Sequence, residues 1–243
     1  MLRIMICVLV LIAATAVADS QANEGRATGG PDAFGYTYFD QVDGCSYSWI
    51  DRAGALPYVD GTNQSAVIPL GGSGFDVYGT PIDHLTASTN GYLSTSLSDT
   101  GDDSTNDCPL PVVPSSGGGA RIYAVHDSLS TTVYHQYFSV CPRSHDIAGS
   151  AAMGCNVFWW DGVSVGGFSR SQAILYDRVY EIVVQIQIEE SHGATSTTGL
   201  QNDGATDGLT YVCDTDGSVN TGVAVCFAHP DPVPVELLRF WVE

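Results

Sequence analysis

The chain has 243 residues and a formal charge of −19 at pH 7, from 27 Asp and Glu against 8 basic residues. Every basic residue is an arginine; lysine is absent. So acidic a surface repels nucleic acid and anionic lipid headgroups, which are bound chiefly through Lys and Arg, so neither is an expected partner.

The chain opens with Met-Leu-Arg, an apolar run from Ile4 to Ala14, and the small residues Ala16-Val17-Ala18. These are the n-region, h-region and cleavage site of a secretory signal peptide, so residues 1–18 are set apart from the fold. The run is short for a bilayer span of about 20 residues, and no second run is long enough, so no membrane insertion is expected. Residues 19–29 are polar and aperiodic and read as a flexible lead. The rest, 30–243, suits one domain, because the Pro/Gly stretch from Pro109 to Gly119 is a loop between strand-like runs rather than a linker.

From there the pattern is short strands punctuated by Gly, Asp and Pro. Phe34, Tyr36 and Tyr38 alternate on one face of Phe34–Asp40, and Tyr47–Ile50 and Ala66–Leu70 give further strands. Next come Phe75–Gly79, His84–Thr89 and Tyr92–Thr95, the last two joined by Asn90-Gly91, a pair suited to a type I′ hairpin turn. Arg121–His126, Thr132–Val140 and Asn156–Asp161 follow. Ser171–Tyr176 and Tyr180–Ile188, joined tightly at Asp177-Arg178, form the clearest hairpin, and the chain reads as organised around it. Its second strand places Tyr180, Ile182, Val184, Ile186 and Ile188 on one face, with Glu181, Val183, Gln185 and Gln187 on the other. Gly208–Cys213 and Gly222–Phe227 read as a pair, and Val235–Val242 as a closing strand. No segment keeps helical apolar spacing over three turns. The expected fold is an all-β, jelly-roll-like antiparallel sandwich of about a dozen short strands with disulfides.

Six cysteines follow the signal, an even number that reads as disulfides in an exported chain. They are widely spaced, with no C-x2-C pair, which argues against a zinc site. The strands flanking Asp214–Gly217 suggest Cys213–Cys226, the same local logic suggests Cys141–Cys155, and elimination leaves Cys45–Cys108.

Gly30–Tyr36, Phe75–Gly79, Ser88–Leu93, Gln172–Tyr176 with its return strand, and Thr197–Tyr211 together resemble nidogen-like extracellular β domains of secreted bacterial surface proteins. The ending from Val233 to Phe240 also resembles the junction that precedes a sorting tail in many exported bacterial proteins. The resemblance implies an extracellular module for adhesion or matrix contact and transfers no catalytic residue.

The motifs that could carry chemistry are weak. Asp99-Thr100-Gly101 spells the aspartic-protease triplet but has no partner loop. His126-Asp127 reads as a surface histidine at a strand end, and Glu189-Glu190 as an exposed strand end. Gly162-Val163-Ser164-Val165-Gly166 spells G-x-S-x-G but lies between strand-like runs with no helix to follow, and H-E-x-x-H is absent. Of the neighbours Trp159 and Trp160, alternation sends only one inward and an exposed one could stack on a sugar or a partner surface, while core packing explains most of the aromatic cluster. Asp99, Asp102, Asp103 and Asp107, and Asp203, Asp207, Asp214 and Asp216, place oxygen ligands on loops as a structural Ca²⁺ requires, without matching the EF-hand pattern. No other cofactor is expected. The function these features favour is secreted, non-enzymatic binding of an extracellular protein or glycan. An exported hydrolase using a carboxylate pair and a structural subunit of a surface assembly are the rivals.

Overall fold

The computed structural model describes residues 28–146, 153–219 and 221–229. The signal, most of the lead and the run expected to close the sheet lie outside the described residues. Within them are sixteen strands, numbered in chain order, and no α-helix. No described helix is long and apolar enough to cross a membrane. The larger sheet has eight strands: β1 (Thr28–Gly29), β2 (Thr37–Asp40), β16 (Val223–Ala228), β13 (Glu181–Glu189), β12 (Gly167–Tyr176), β11 (Cys155–Ser164), β10 (Ser130–Phe138) and β3 (Leu56–Thr62), side by side in that order. The smaller has six, β15 (Gly208–Cys213), β14 (Thr197–Gln201), β9 (Arg121–His126), β8 (Tyr92–Ser94), β7 (His84–Ser88) and β4 (Ser65–Pro69). A two-stranded ribbon, β5 (Phe75–Val77) with β6 (Thr80–Ile82), completes the set. Every pairing is antiparallel.

The two sheets make a β-sandwich, as the alternation and the turn spacing predict. Phe158 and Trp160 of β11, Ala173 and Leu175 of β12, and Ile182, Val184 and Ile186 of β13 share one core with Leu85, Ala87, Leu93, Ile122 and Ala124 of the smaller sheet. The hairpin β12–β13 lies at the centre of the larger sheet. Its other face is not the half-exposed polar face that alternation suggests. Residues 41–55 cross it as a strap, packing Cys45, Tyr47, Trp49 and Ile50 on Val157, Trp159, Ile174, Tyr176 and Val183 in a second core. Polar bonds fix the strap in place. The Gln185 amide accepts from Ser48 N at 2.7 Å and donates to Ser48 O at 3.0 Å, and Trp159 Nε1 donates to the Ile50 carbonyl at 2.8 Å.

Several expectations need correction. Tyr47–Ile50 forms no strand, because its backbone groups bond to side chains of the sheet beneath. Thr28 and Gly29 of the supposed lead pair with β2. β3, β6 and β14 have no clear alternation in sequence and were not anticipated. Only Gly91 of the Asn90-Gly91 pair has positive φ, 82°, so the hairpin is not type I′. Gly91 N donates to Ser88 O at 3.3 Å, and Ser88 opposes Tyr92, giving a three-residue loop that needs glycine in the left-handed region. A Cβ there would meet the Val125 carbonyl oxygen at 1.8 Å.

The disulfides are Cys45–Cys226, Cys108–Cys213 and Cys141–Cys155. Only the last agrees with the sequence reading. β15 and β16 belong to different sheets, so Cys213 and Cys226 do not face each other across a ladder. Cys226 instead ties the strap to the larger sheet, and Cys213 ties the loop before β9 to the smaller one. Three disulfides fit an oxidising compartment.

Two outcomes follow. Non-reducing peptide mapping should recover Cys45–Cys226 and Cys108–Cys213. Replacing Cys45 and Cys226 together by serine should cost about 4–5 kcal/mol in denaturant unfolding, since the bridge closes a loop of 181 residues. The second outcome concerns His135. Its Nε2 donates to Asn156 Oδ1 at 2.9 Å, and the same amide clamps Gly71 N and O, each at 2.9 Å. Burial, opposed by the Asn156 bond, holds the imidazole below its ordinary value. The unfolded chain therefore takes up this proton first as pH falls, so stability is full above about 6.5 and is lost on acidification through the folded value. H135Q should therefore lose less stability than the unmodified chain between pH 7 and 5, a difference read by comparing the two melting temperatures at each pH.

Candidate functional site

Past the far end of the strap, the outer face of the larger sheet is open. A polar row crosses it, with Asp60, Thr132, Asp161 and Arg170 directly opposite one another on β3, β10, β11 and β12. Asp161 holds two guanidiniums: Arg170 Nε at 2.9 Å and Arg52 Nη2, from the strap, at 2.8 Å. Arg170 Nη1 reaches Gln187 Oε1 at 3.2 Å, and Arg52 stacks over the Tyr134 ring at 4.2 Å. Both arginine side chains remain about half exposed, at 45% and 44%.

Arg52, Asp161 and Arg170 line a shallow cavity of about 160 Å³ together with Trp49, Asp51 and Gln187. A second hollow of about 240 Å³ adjoins it, shares Asp161 and Arg170, and adds Gly162, Phe168, Ser169 and Ile188. Phe168 is 62% exposed at this rim. Five arginines lie among the described residues; Arg121 and Arg143 are buried, and two of the other three meet here. The depression thus joins aromatic surface to planar donors and acceptors in a chain that is otherwise acidic.

Trp159 and Trp160, expected to leave one ring exposed, are 1% and 0% exposed. Alternation does send them to opposite faces, but the strap covers one face and the smaller sheet the other. Trp160 Nε1 donates to Ser88 O at 2.7 Å. The rings that could stack on a ligand belong instead to Trp49 and Phe168. The Asp161–Arg170 pair was legible in principle, as opposite charges one hairpin apart on the same face. Trp49 and Arg52 carried no such signal, because the strap is irregular.

The first acidic stretch folds inward. Arg121 on β9 is fully buried and binds Asp103 Oδ2 through Nη1 at 2.6 Å and Asp99 Oδ2 through Nη2 at 2.9 Å; Asp107 Oδ2 lies 3.8 Å from Nη1. Its guanidinium sits 4.3 Å from the Tyr92 ring centre. Tyr92 donates to Asp99 Oδ1 at 2.9 Å, and Tyr123 to Asp107 Oδ2 at 3.0 Å. Burial and the adjacent Asp103 push the Asp107 carboxyl up to about 6. Burial also pushes Asp103 upward, but Ser115, His126 and Arg121 outweigh it and hold that carboxyl below the ordinary range.

This arrangement differs from an open calcium loop. Asp102, Asp214 and Asp216 are exposed and do not join the cluster, and Asp214 accepts from Asn106 Nδ2 at 3.0 Å. Asp203 is also exposed, while Asp207 accepts from Ala33 N and Phe34 N at 3.0 and 2.7 Å. His126 is no surface histidine: it is fully buried, with Nδ1 2.9 Å from Asn90 O. Glu189 is likewise buried, accepting from Ser191 N at 3.1 Å and Gly193 N at 2.7 Å, which closes the turn after β13.

Compared with models of protein families, with curated proteins and with solved structures, the chain matches none.

Removing Arg121 while leaving its shape would strand three buried carboxylates. Arg121→Met should therefore cost roughly 3–5 kcal/mol at pH 7, the scale for breaking a buried pair from one side, as read by urea unfolding. A change within ±0.5 kcal/mol would contradict the inward fold of the 95–120 loop.

Proposed function

We propose that this chain is a secreted, non-enzymatic module that binds a glycan of a cell surface or matrix at the depression between Trp49, Arg52, Asp161, Arg170 and Gln187. The observation that carries the reading is the composition of that hollow. A sugar ring has an apolar face that suits an exposed aromatic, and hydroxyl pairs that suit planar, bidentate groups such as guanidinium, carboxylate and amide. Those three groups are held by one another here, so their geometry is set before a ligand arrives, which lowers the entropy lost on binding. The signal-like leader, the three disulfides and the nidogen-like resemblance support an extracellular setting.

A hydrolase needs two carboxylates that reach a substrate. Asp99 and Asp103 converge, but each has a fully buried side chain bound to Arg121. Asp161, which lines the hollow together with Asp51, is tied to two arginines.

A glycan and matrix-protein array, run beside a broad hydrolase screen, tests the proposal. Saturable glycan binding is expected, weakened tenfold or more by Trp49→Ala and by Arg170→Ala, with melting temperature changed little in the second variant because an exposed ion pair contributes about 1 kcal/mol at most. Turnover, or glycan affinity indifferent to both substitutions, would overturn it.

A further inference from the structure

The groups around Arg121 do not balance. Asp99, Asp103 and Asp107 carry three formal negative charges against one guanidinium in a region where all four side chains are 0–4% exposed. An excess of two buried negative charges calls for a compensating cation. His126 faces the same point. Its Nδ1–H donates to the Asn90 carbonyl at 2.9 Å, which leaves the lone pair on Nε2. Nε2 is buried and makes no hydrogen bond of ordinary geometry, although the Thr105 backbone acts on the same ring, and it lies 3.9 Å from Asp103 Oδ1 and 4.0 Å from Asp107 Oδ2.

We infer that Asp103, Asp107 and His126 form a buried site for one divalent transition ion of the zinc class. The three donor atoms lie within 4.8 Å of one another. Atoms so spaced can all lie within about 2.8 Å of one common point, so a contraction of about half an ångström gives the 2.0–2.2 Å bonds that zinc makes to imidazole and carboxylate. An ion of charge +2 cancels the excess. The supporting bonds of such a site are in place. The Asn90 carbonyl fixes the histidine tautomer, Ser115 Oγ and Thr105 Oγ1 donate to Asp103 Oδ1 at 2.6 and 3.0 Å, and Tyr123 donates to Asp107. Calcium fits less well. It takes six to eight oxygens, whereas this site offers two carboxylate oxygens and a nitrogen.

The site would be structural. Its ligands come from β9 and from the 95–120 loop, which has no strand of its own, so the ion would pin that loop to the smaller sheet beside Cys108–Cys213. Asp99 would remain with Arg121 and Tyr92 and take no part in coordination.

The test uses the full chain with its disulfides intact, unfolded in denaturant with a strong chelator and refolded with Zn²⁺, Ca²⁺ or no added ion. Elemental analysis after dialysis should find close to one zinc per chain. Zinc at a hundredfold over its dissociation constant should raise the melting temperature by roughly 5–10 °C, and calcium should not. Co²⁺ in place of zinc should give ligand-field bands, and absorption fine structure at the zinc edge should show one imidazole, both on the unmodified chain. His126→Gln, whose amide can still reach Asn90 O, should retain the fold and lose the ion. Zinc content below a tenth of an equivalent, zinc without an imidazole ligand, or equal zinc in H126Q and the unmodified chain would overturn the inference, as would a stabilisation that calcium matches.

Discussion

The strap over the outer face of the larger sheet is the constraint on which the rest depends. An antiparallel sheet normally buries one face and wets the other, which is what the alternation in β13 advertises. Here Val183, Ile174, Val157 and Trp159 point away from the sandwich core and would meet water were it not for residues 41–55. The strap has no ladder to hold it. Its hold comes from the Cys45–Cys226 bridge, two bonds from Gln185, one from Trp159, and the packing of Tyr47, Trp49 and Ile50. A chain with 14% charged residues and 44% hydrophobic ones has enough apolar side chains to fill two cores, and this arrangement uses them.

Buried charge is handled by the same economy. Arg143 lies under the strap, with Nη1 donating to Tyr176 at 2.7 Å and Nη2 to Ser46 O at 2.8 Å, and pairs with Asp146. Arg121 plays the corresponding part beneath the 95–120 loop. Each guanidinium spreads one charge over several planar donors, so it satisfies carbonyls and carboxylates that an irregular segment cannot pair through a ladder. Asn90 extends the principle without charge: its Nδ2 reaches Asn63 Oδ1, Gly101 O and Asp103 O at 2.8–3.0 Å. These loops are therefore held by polar networks where strands would use backbone hydrogen bonds.

What the sequence revealed follows from where ladders occur. Arg121–His126 and Gly208–Cys213 were read with the same limits the structure gives, and the central hairpin was identified as central, because regular strands leave a period of two. Leu56–Thr62 and Thr197–Gln201 escaped because Pro57, Gly61 and Gly199 interrupt any alternation. Disulfide pairing failed at Cys213 and Cys226 for a different reason. Adjacency in sequence does not mean adjacency in one sheet here, because the chain crosses from one sheet to the other between β15 and β16. The tryptophans show the limit most plainly: Trp159 and Trp160 do alternate, yet exposure depends on what lies over the second face, and nothing periodic marks a strap.

Under the proposed binding role, the strap would also join stability to recognition. One wall of the depression, Asp161, Arg170 and Gln187, stands on three adjacent strands of the larger sheet and inherits their rigidity. The other wall, Trp49, Asp51 and Arg52, is strap, fixed immediately upstream by Ser48 and by the carbonyl of Ile50. Arg52 bridges them, paired with Asp161 and stacked on Tyr134. A site built this way is preorganised at one wall by a ladder and at the other by packing on a buried tryptophan, so any ligand that spans both walls would gain contacts only while the strap is seated. Occupancy of the hollow and closure of the second core would then favour each other, because each would be stronger in the conformation the other requires.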